Sequence, residues 1–415
     1  MSVQSLRTGV SGLDVNQTRL DVLSNNIANS GTVGFKRGRA VFSEVLGQQI
    51  PGVSDGPSGE SRTGRGAAVD AINKNFEQGS LDQTGIKTDL ALSGDGFFVA
   101  SRSEGAANQQ RQLTRAGNFT FNENGKLVTS SGLAVQGWEV DDNGKALTGE
   151  LQDIQFDPNA QSAAKFTSET EVGGNLSADA EDGDTTSISS VVYDEQGTAY
   201  DAVIEFEKTA TNNEWNYTVE AADSDPFTTT SESGTITFNS DGTVDEIDGS
   251  TTKDGPSMTW KSSLVSGSED INFNLRGLTQ YSGSTTAKFE SQNGNSAGEL
   301  SDFNFTQEGE LELSYTNGKK EKIFQLAVGN VNNPDALEQQ GDNLFTTTSA
   351  SGDLQLGRAR RDLQTSVESG SLESSNVELA DSFASLIEAQ RNYQASSRVV
   401  TTADQVLQET VQLKR

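Results

Sequence analysis

Apolar residues recur every seven positions at both ends of the chain and alternate with polar ones through most of what lies between. At the N-terminus Leu6, Leu13, Leu20 and Ile27 fall on one column, with Val3 and Val10 beside it. This spacing predicts a helix over residues 1–30 with a coiled-coil-like seam. Asn25, Asn26, Asn29, Ser30 and Gly31 supply its stop signals. At the C-terminus Leu379, Leu386, Tyr393, Val400 and Leu407 repeat at the same interval, and Ser382, Ala389, Ser396 and Ala403 form a column of small residues between them. Large and small residues alternating on one stripe let a partner helix approach closely. The pattern predicts a second helix within residues 361–415. Packing between the chain's own two helices and packing against other helices are both compatible with it.

The long middle alternates apolar and polar positions and turns at Gly. Segments 119–128, 138–147, 191–200, 236–245, 303–313 and 313–323 each run an alternating stretch into a Gly-containing turn. Asn or Asp before such a Gly is hairpin chemistry. Residues 70–360 therefore read as mostly antiparallel β-structure, with Trp138, Trp215 and Trp260 in its core. The same turns lack the alternating oxygen ligands and closing Glu of an EF-hand loop, so solvated hairpins are the better reading. Residues 31–69, with the Gly, Pro and Ser of 51–66, read as a linker or irregular excursion.

Charge divides the β-region. Residues 151–283 carry 25 acidic and 5 basic side chains, whereas residues 1–50 carry 3 and 5. We read 151–283 as an outer acidic β domain inserted into an inner one made of 70–150 and 284–360. The fold expected is mainly β with terminal α-helices: coiled-coil-like N- and C-terminal helices flanking two antiparallel β domains, the outer inserted in the inner.

Composition then removes chemistry. Among 415 residues there is no His and no Cys, and the formal net charge is −30. A Ser-His-Asp triad, a Cys nucleophile, a disulfide framework and a zinc site with nitrogen or sulfur ligands are excluded. Nucleic acid is a poor partner for such a surface. No apolar run approaches the roughly 20 residues of a membrane span, and the N-terminus has no secretory h-region. A carboxylate-pair hydrolase stays formally open, but among 60 acidic residues close pairs arise by chance. No catalytic, cofactor or metal site is expected.

The segment LSNNIANSGTVGFK, residues 23–36, resembles the signature of the bacterial flagellar axial proteins, the rod and hook family. A second block agrees: Phe76, Gln78, Gly79, Thr84, Gly85 and Asp89, followed by Gly94, Asp95, Gly96, Phe97 and Phe98. A third, residues 375–409, is similar to the family's closing helix. Within the family, an enlarged middle distinguishes hook-type members from rod-type ones. The acidic middle itself matches no motif.

The resemblance implies a structural protein that assembles with itself into a flexible, curved tube coupling motor to filament as a universal joint. It implies export through the flagellar secretion channel without a cleaved signal. Partners would be the distal rod protein, the hook cap, the hook-filament junction proteins and the export apparatus, with no membrane insertion. The residues expected at the assembly interface are Leu6, Val10, Leu13, Leu20, Ile27, Leu379, Leu386, Tyr393, Val400 and Leu407. Asn25, Asn26, Asn29, Gly34, Phe35, Gly94, Gly96, Phe97 and Phe98 carry the family motif, the first five as the turn leaving the helical layer. A rod-type protein with an enlarged middle and a secreted acidic β-rich adhesin are the alternatives.

Overall fold

The computed structural model describes residues 2–46, 48–49, 62–102, 111–141, 145–147, 149–221, 232–261 and 268–412. It is mainly β, with α1 (Ser2–Ala28) and α2 (Leu379–Gln412) at its ends. Two compact units divide the chain: Met1–Asp157 with Phe303–Leu313 and Glu321–Arg415, and Pro158–Asp302 with Ser314–Lys320. The second interrupts the first in sequence. Its limits do not follow the acidic composition, because charge marks solvated surface whereas the unit is defined by what packs together.

In the first unit a sheet runs Lys320–Leu326, Ala134–Glu139, Phe97–Ser101, Gln112–Thr114, Leu344–Thr346 and Glu338–Gly341. Phe97–Ser101 is buried at every position. A continuous apolar run suits a strand covered on both faces. Phe97, Val99, Leu113, Trp138, Ala327 and Phe345 form the core around it.

Residues 31–69 hold more order than their composition suggests. Strand Gly38–Glu44 pairs antiparallel with Ala67–Lys74, with a register shift between Val41 and Phe42. The short apolar run Ala40-Val41-Phe42 was the available signal; its partner lies beyond the Gly- and Pro-rich stretch, and long-range pairing is invisible in local composition.

The second unit has two sheets. Thr185–Tyr193, Ala199–Lys208, Glu214–Ala221, Glu232–Phe238 and Val244–Ile247 form an antiparallel meander in sequence order. The other sheet runs Ser257–Lys261, Ser268–Tyr281, Glu169–Ser177 and Lys288–Gln292. Val172, Phe206, Trp215, Tyr217, Ile271, Phe273 and Leu278 share the core between them. One pairing departs from the antiparallel expectation: Glu169–Ser177 lies parallel to Ser268–Tyr281. A parallel pair needs a long crossover, and here the whole meander supplies it.

Of the six expected hairpin turns, five show their Gly at positive φ: Gly125, Gly197, Gly242, Gly309 and Gly318. The turn at 142–144 lies outside the described residues. Trp138 and Trp215 are buried, whereas the side chain of Trp260 is outside the description.

The second unit also contains a polar cluster that titrates. Asp248 accepts hydrogen bonds from Tyr217 Oη at 2.7 Å, Lys253 Nζ at 2.6 Å and Thr235 N at 2.9 Å. Burial pushes the Asp248 carboxyl up, but these donors outweigh it and hold it below its ordinary value. Burial and the carboxylate raise Tyr217, and the bond to Asp248 raises Lys253. For a depressed acid, stability is present above the unfolded value near 3.8 and is lost as pH falls through the lower folded value. For the raised groups it is present below their unfolded values, 10.0 and 10.5, and lost as pH rises above them. We expect this unit to be weakened on both flanks. Asp248→Asn should remove the acid-side loss in near-ultraviolet circular dichroism; an unchanged acid limb would place that loss elsewhere.

Candidate assembly interface

The two helices pack antiparallel. A methyl on Gly9 would lie 2.8 Å from Val400 Cγ2, and one on Gly12 would lie 2.9 Å from Ser396 Oγ. Further along, Arg19 reaches Glu388 at 3.4 Å. Small residues let the backbones close in: Gly9 on α1 and Ala389 and Ala403 on α2 are buried.

The apolar columns are split by this packing. Leu6, Leu13, Leu20 and Ile27 are half-buried, as are Leu386, Val400 and Leu407. Leu379, Tyr393 and Val10 remain exposed, and so do Phe383 and Ile387, each at 51%. Leu379, Phe383 and Ile387 advance by four residues and therefore share one face of α2. The chain's own helix pair thus uses the small-residue stripe and leaves a large-residue face open. Val10, on α1, lies off the contact for the same reason: Gly9, its neighbour in sequence, takes the buried position.

Beneath the helices, a buried ionic junction ties both chain ends to the first unit. Glu373 is fully buried; its Oε1 accepts from Lys36 Nζ at 2.7 Å and from Gly79 N at 2.8 Å, and its Oε2 from Arg115 Nη1 at 3.3 Å. Lys36 Nζ also donates to Glu77 O at 2.7 Å, and Arg115 Nη2 to Gly94 O at 2.8 Å. Burial lowers Lys36 from its ordinary value against the raising effect of Glu373, and burial likewise lowers Arg115. Neither cation sits there without the carboxylate's help. Buried charges persist only when paired and hydrogen-bonded.

Of the motif residues, Gly34, Gly94 and Phe97 touch this junction. Asn26 pins the backbone of Gly38, accepting its N–H at 2.7 Å and donating to its carbonyl at 2.8 Å. Asn29 donates to Asn25 O at 2.9 Å, closing the last turn of α1; Asn25 is exposed. Gly34 has φ +66°, and its N–H donates to Glu373 O at 2.7 Å. Phe35 is buried with the Lys74 ammonium 4.6 Å from its ring centroid. Gly94 and Gly96, at positive φ, flank the turn into the core strand. Phe97 packs edge-on against Phe76, with the Arg115 guanidinium 5.5 Å from its ring. Phe98 packs on Phe119.

Four residues of the junction were not singled out by sequence: Lys36, Arg115, Glu373 and Asn376. Asn376 accepts from Arg37 N at 2.8 Å and donates to Asn75 O at 2.8 Å and Glu77 O at 2.9 Å. Lys36 ends the first motif, so its place there was a signal. Asn376 stands at the start of the third block and Glu373 just before it, in a Ser-rich stretch where nothing marks a buried carboxylate.

Four family models match in chain order. They are Flagella basal body rod protein at 6–36, Flagellar hook protein FlgE/F/G D1 domain at 91–167, Flagellar basal body protein FlaE D2 domain at 159–295, and Flagellar basal body rod FlgEFG protein C-terminal at 368–413. Over nearly its whole length the chain is 31% identical to the flagellar hook protein FlgE of Escherichia coli, with 98% of each chain covered. It belongs to the flagellar hook protein family. Other hook proteins agree: that of Rhizobium meliloti is 32% identical with 99% of each chain covered, and that of Treponema pallidum 30% with 100% of each. The crystal structure of a Helicobacter pylori hook protein, FlgE2, shares the fold at TM-score 0.52 and 12% identity, covering 71% of this chain and all of that one. As a hook protein the chain is a structural subunit of the flagellar hook, and its family supports a non-enzymatic role and self-polymerisation in the flagellar axis.

Proposed function

We propose that the chain builds the hook as a helical polymer whose inner layer is made of helix pairs and whose bending joint is carried by the β units outside it. The observation that carries this reading is the open face of α2, where Leu379, Phe383, Ile387 and Tyr393 stand exposed on a helix whose small-residue stripe is already used. A solvent-facing stripe of large apolar side chains marks an interaction surface. In a tube, that face packs on helices of other copies, with Leu6, Leu13, Leu20, Ile27, Leu386, Val400 and Leu407 completing the layer. Helices of 27 and 34 residues reach about 40 and 51 Å, enough for one copy to touch several others.

Bending needs outer contacts that slide while the inner layer holds. The acidic second unit suits sliding, since like-charged hydrated surfaces form few fixed contacts. The ionic junction suits transmission, because it fixes the helix exits to the first unit and lets torque pass without a loose hinge there. The distal rod protein and the hook-filament junction proteins would continue the tube at its ends, the cap would sit on the growing tip, and subunits would arrive through the export apparatus.

Gold-labelled antibody against the second unit tests the assignment by electron microscopy of cells. Label confined to a short curved segment between envelope and filament is the expected result. Label along the filament, or only on protein shed into the medium, would overturn it in favour of another axial protein or an adhesin.

A further inference from the structure

Strand Thr185–Tyr193 forms one edge of the meander and, among the described residues, is hydrogen-bonded as a strand to Ala199–Lys208 alone, with Lys288–Gln292 of the other sheet close by. Nine residues pair without a register shift, so no bulge twists the edge away. Within an acidic unit this strand, TTSISSVVY, carries no charge and no Pro. Two other edges are guarded by charge: Asp245 and Glu246 in Val244–Ile247, and Lys288 and Glu290 in Lys288–Gln292. Natural sheets blunt exposed edges with such residues, and an edge lacking them pairs readily with another strand.

The direction of the free groups is fixed. Lys208 N donates to Asp184 O, which places the even-numbered residues of the strand on the side of Ala199–Lys208. At the far end Tyr193 faces the other way, where its N–H and carbonyl are met by Thr167 Oγ1 and N. The N–H and C=O groups of Thr185, Ser187, Ser189 and Val191 therefore point outward, and no partner meets them among the described residues. Their side chains are exposed as well.

We propose that this edge joins two copies of the chain, antiparallel and symmetric about Ile188. In that register Thr185 pairs with Val191 of the second copy and Ser187 with Ser189, each twice, giving about eight backbone hydrogen bonds. Ile188, half-buried against the unit's core, meets its own copy across the axis. The occupant is a second copy because an uncharged strip is where two acidic units can approach closely, and because the strand opposes itself without a mismatched pair. Such a two-fold contact is isologous and closes on itself. Neighbours in a polar polymer share one direction, so the pairing belongs to free subunits and competes with their addition to the tube. It does not rest on the proposed function.

The experiment is sedimentation of the full chain over a concentration series at low and high salt, with residue-resolved amide exchange. A discrete dimer is expected, favoured by salt because screening weakens repulsion between the acidic units, with slowed exchange at residues 185, 187, 189 and 191. The double variant Ser187→Lys with Ser189→Lys sets Lys opposite Lys twice and should weaken the dimer about tenfold or more. These side chains are exposed, so the variant should keep the circular dichroism and polymer-forming capacity of the parent. A chain that stays monomeric short of polymer, or a dimer that survives in the variant or leaves these amides fast, overturns the proposal.

Discussion

Replacing Glu373 with Gln is expected to destabilise the first unit by about 3 to 5 kcal/mol, the range for removing one partner of a buried ion pair. Two cations lose their carboxylate at once, since Lys36 and Arg115 both depend on Glu373 and their side chains are 1% and 3% exposed. Urea unfolding followed through Trp138, buried in the first unit's core, gives the number. The exposed pair Arg19–Glu388 is the control: Glu388, with 62% of its side chain exposed, should cost less than about 1 kcal/mol when changed to Gln. The pH dependence has a definite sign. Burial holds Lys36 below its ordinary value of 10.5, so the folded state carries the strain of its charge below the folded value and is relieved as pH rises through it. Without Glu373 that value falls further, and the deficit of the variant should shrink toward alkaline pH. A Glu373→Gln deficit below about 1 kcal/mol would mean that the junction is not what fixes the helix exits.

Gly34→Ala is expected to cost about 2 to 5 kcal/mol and to loosen the same exits. Left-handed backbone costs a residue with a Cβ about 1 to 2 kcal/mol, and Gly34 sits at φ +66°. Crowding adds about 1 to 3 kcal/mol, because the new methyl would lie 2.5 Å from the backbone nitrogen of Ala116. Backbone on that side cannot step aside as the end of a side chain could. Gly85→Ala separates the two contributions. Gly85 has φ +74° and nothing within 4 Å of a Cβ, so only the backbone cost of about 1 to 2 kcal/mol remains. Equal losses in the two variants would show that close packing at the junction is not tight.

The helices and hairpins were legible in the sequence because their signals are local. Leu6 to Ile27 and Leu379 to Leu407 each lie on a helical column, and the turn Gly at 125, 197, 242, 309 and 318 sits where alternation breaks. Which column faces which partner was not legible. Ala389 and Ala403 took the intramolecular contact because small residues permit close approach, and Leu379 and Tyr393 were left outside. The junction was hidden by distance. Glu373 meets residues 337 and 258 positions away, and nothing in SLESSN distinguishes a buried carboxylate from a solvated one. The parallel pairing of Glu169–Ser177 was hidden likewise, since strand direction is set by a crossover longer than any local pattern.

Burial of the open face of α2 between copies of the chain can be tested without background because the sequence contains no Cys. Single variants Ile387→Cys and, as an exposed reference in the second unit, Ser240→Cys would be alkylated with a maleimide before and after polymerisation. Both should react fully in the monomer. In the polymer, Cys at 387 should become protected while Cys at 240 keeps its reactivity. Equal labelling of the two positions in the polymer would mean that this face stays open and that the contacts between copies lie elsewhere on the chain.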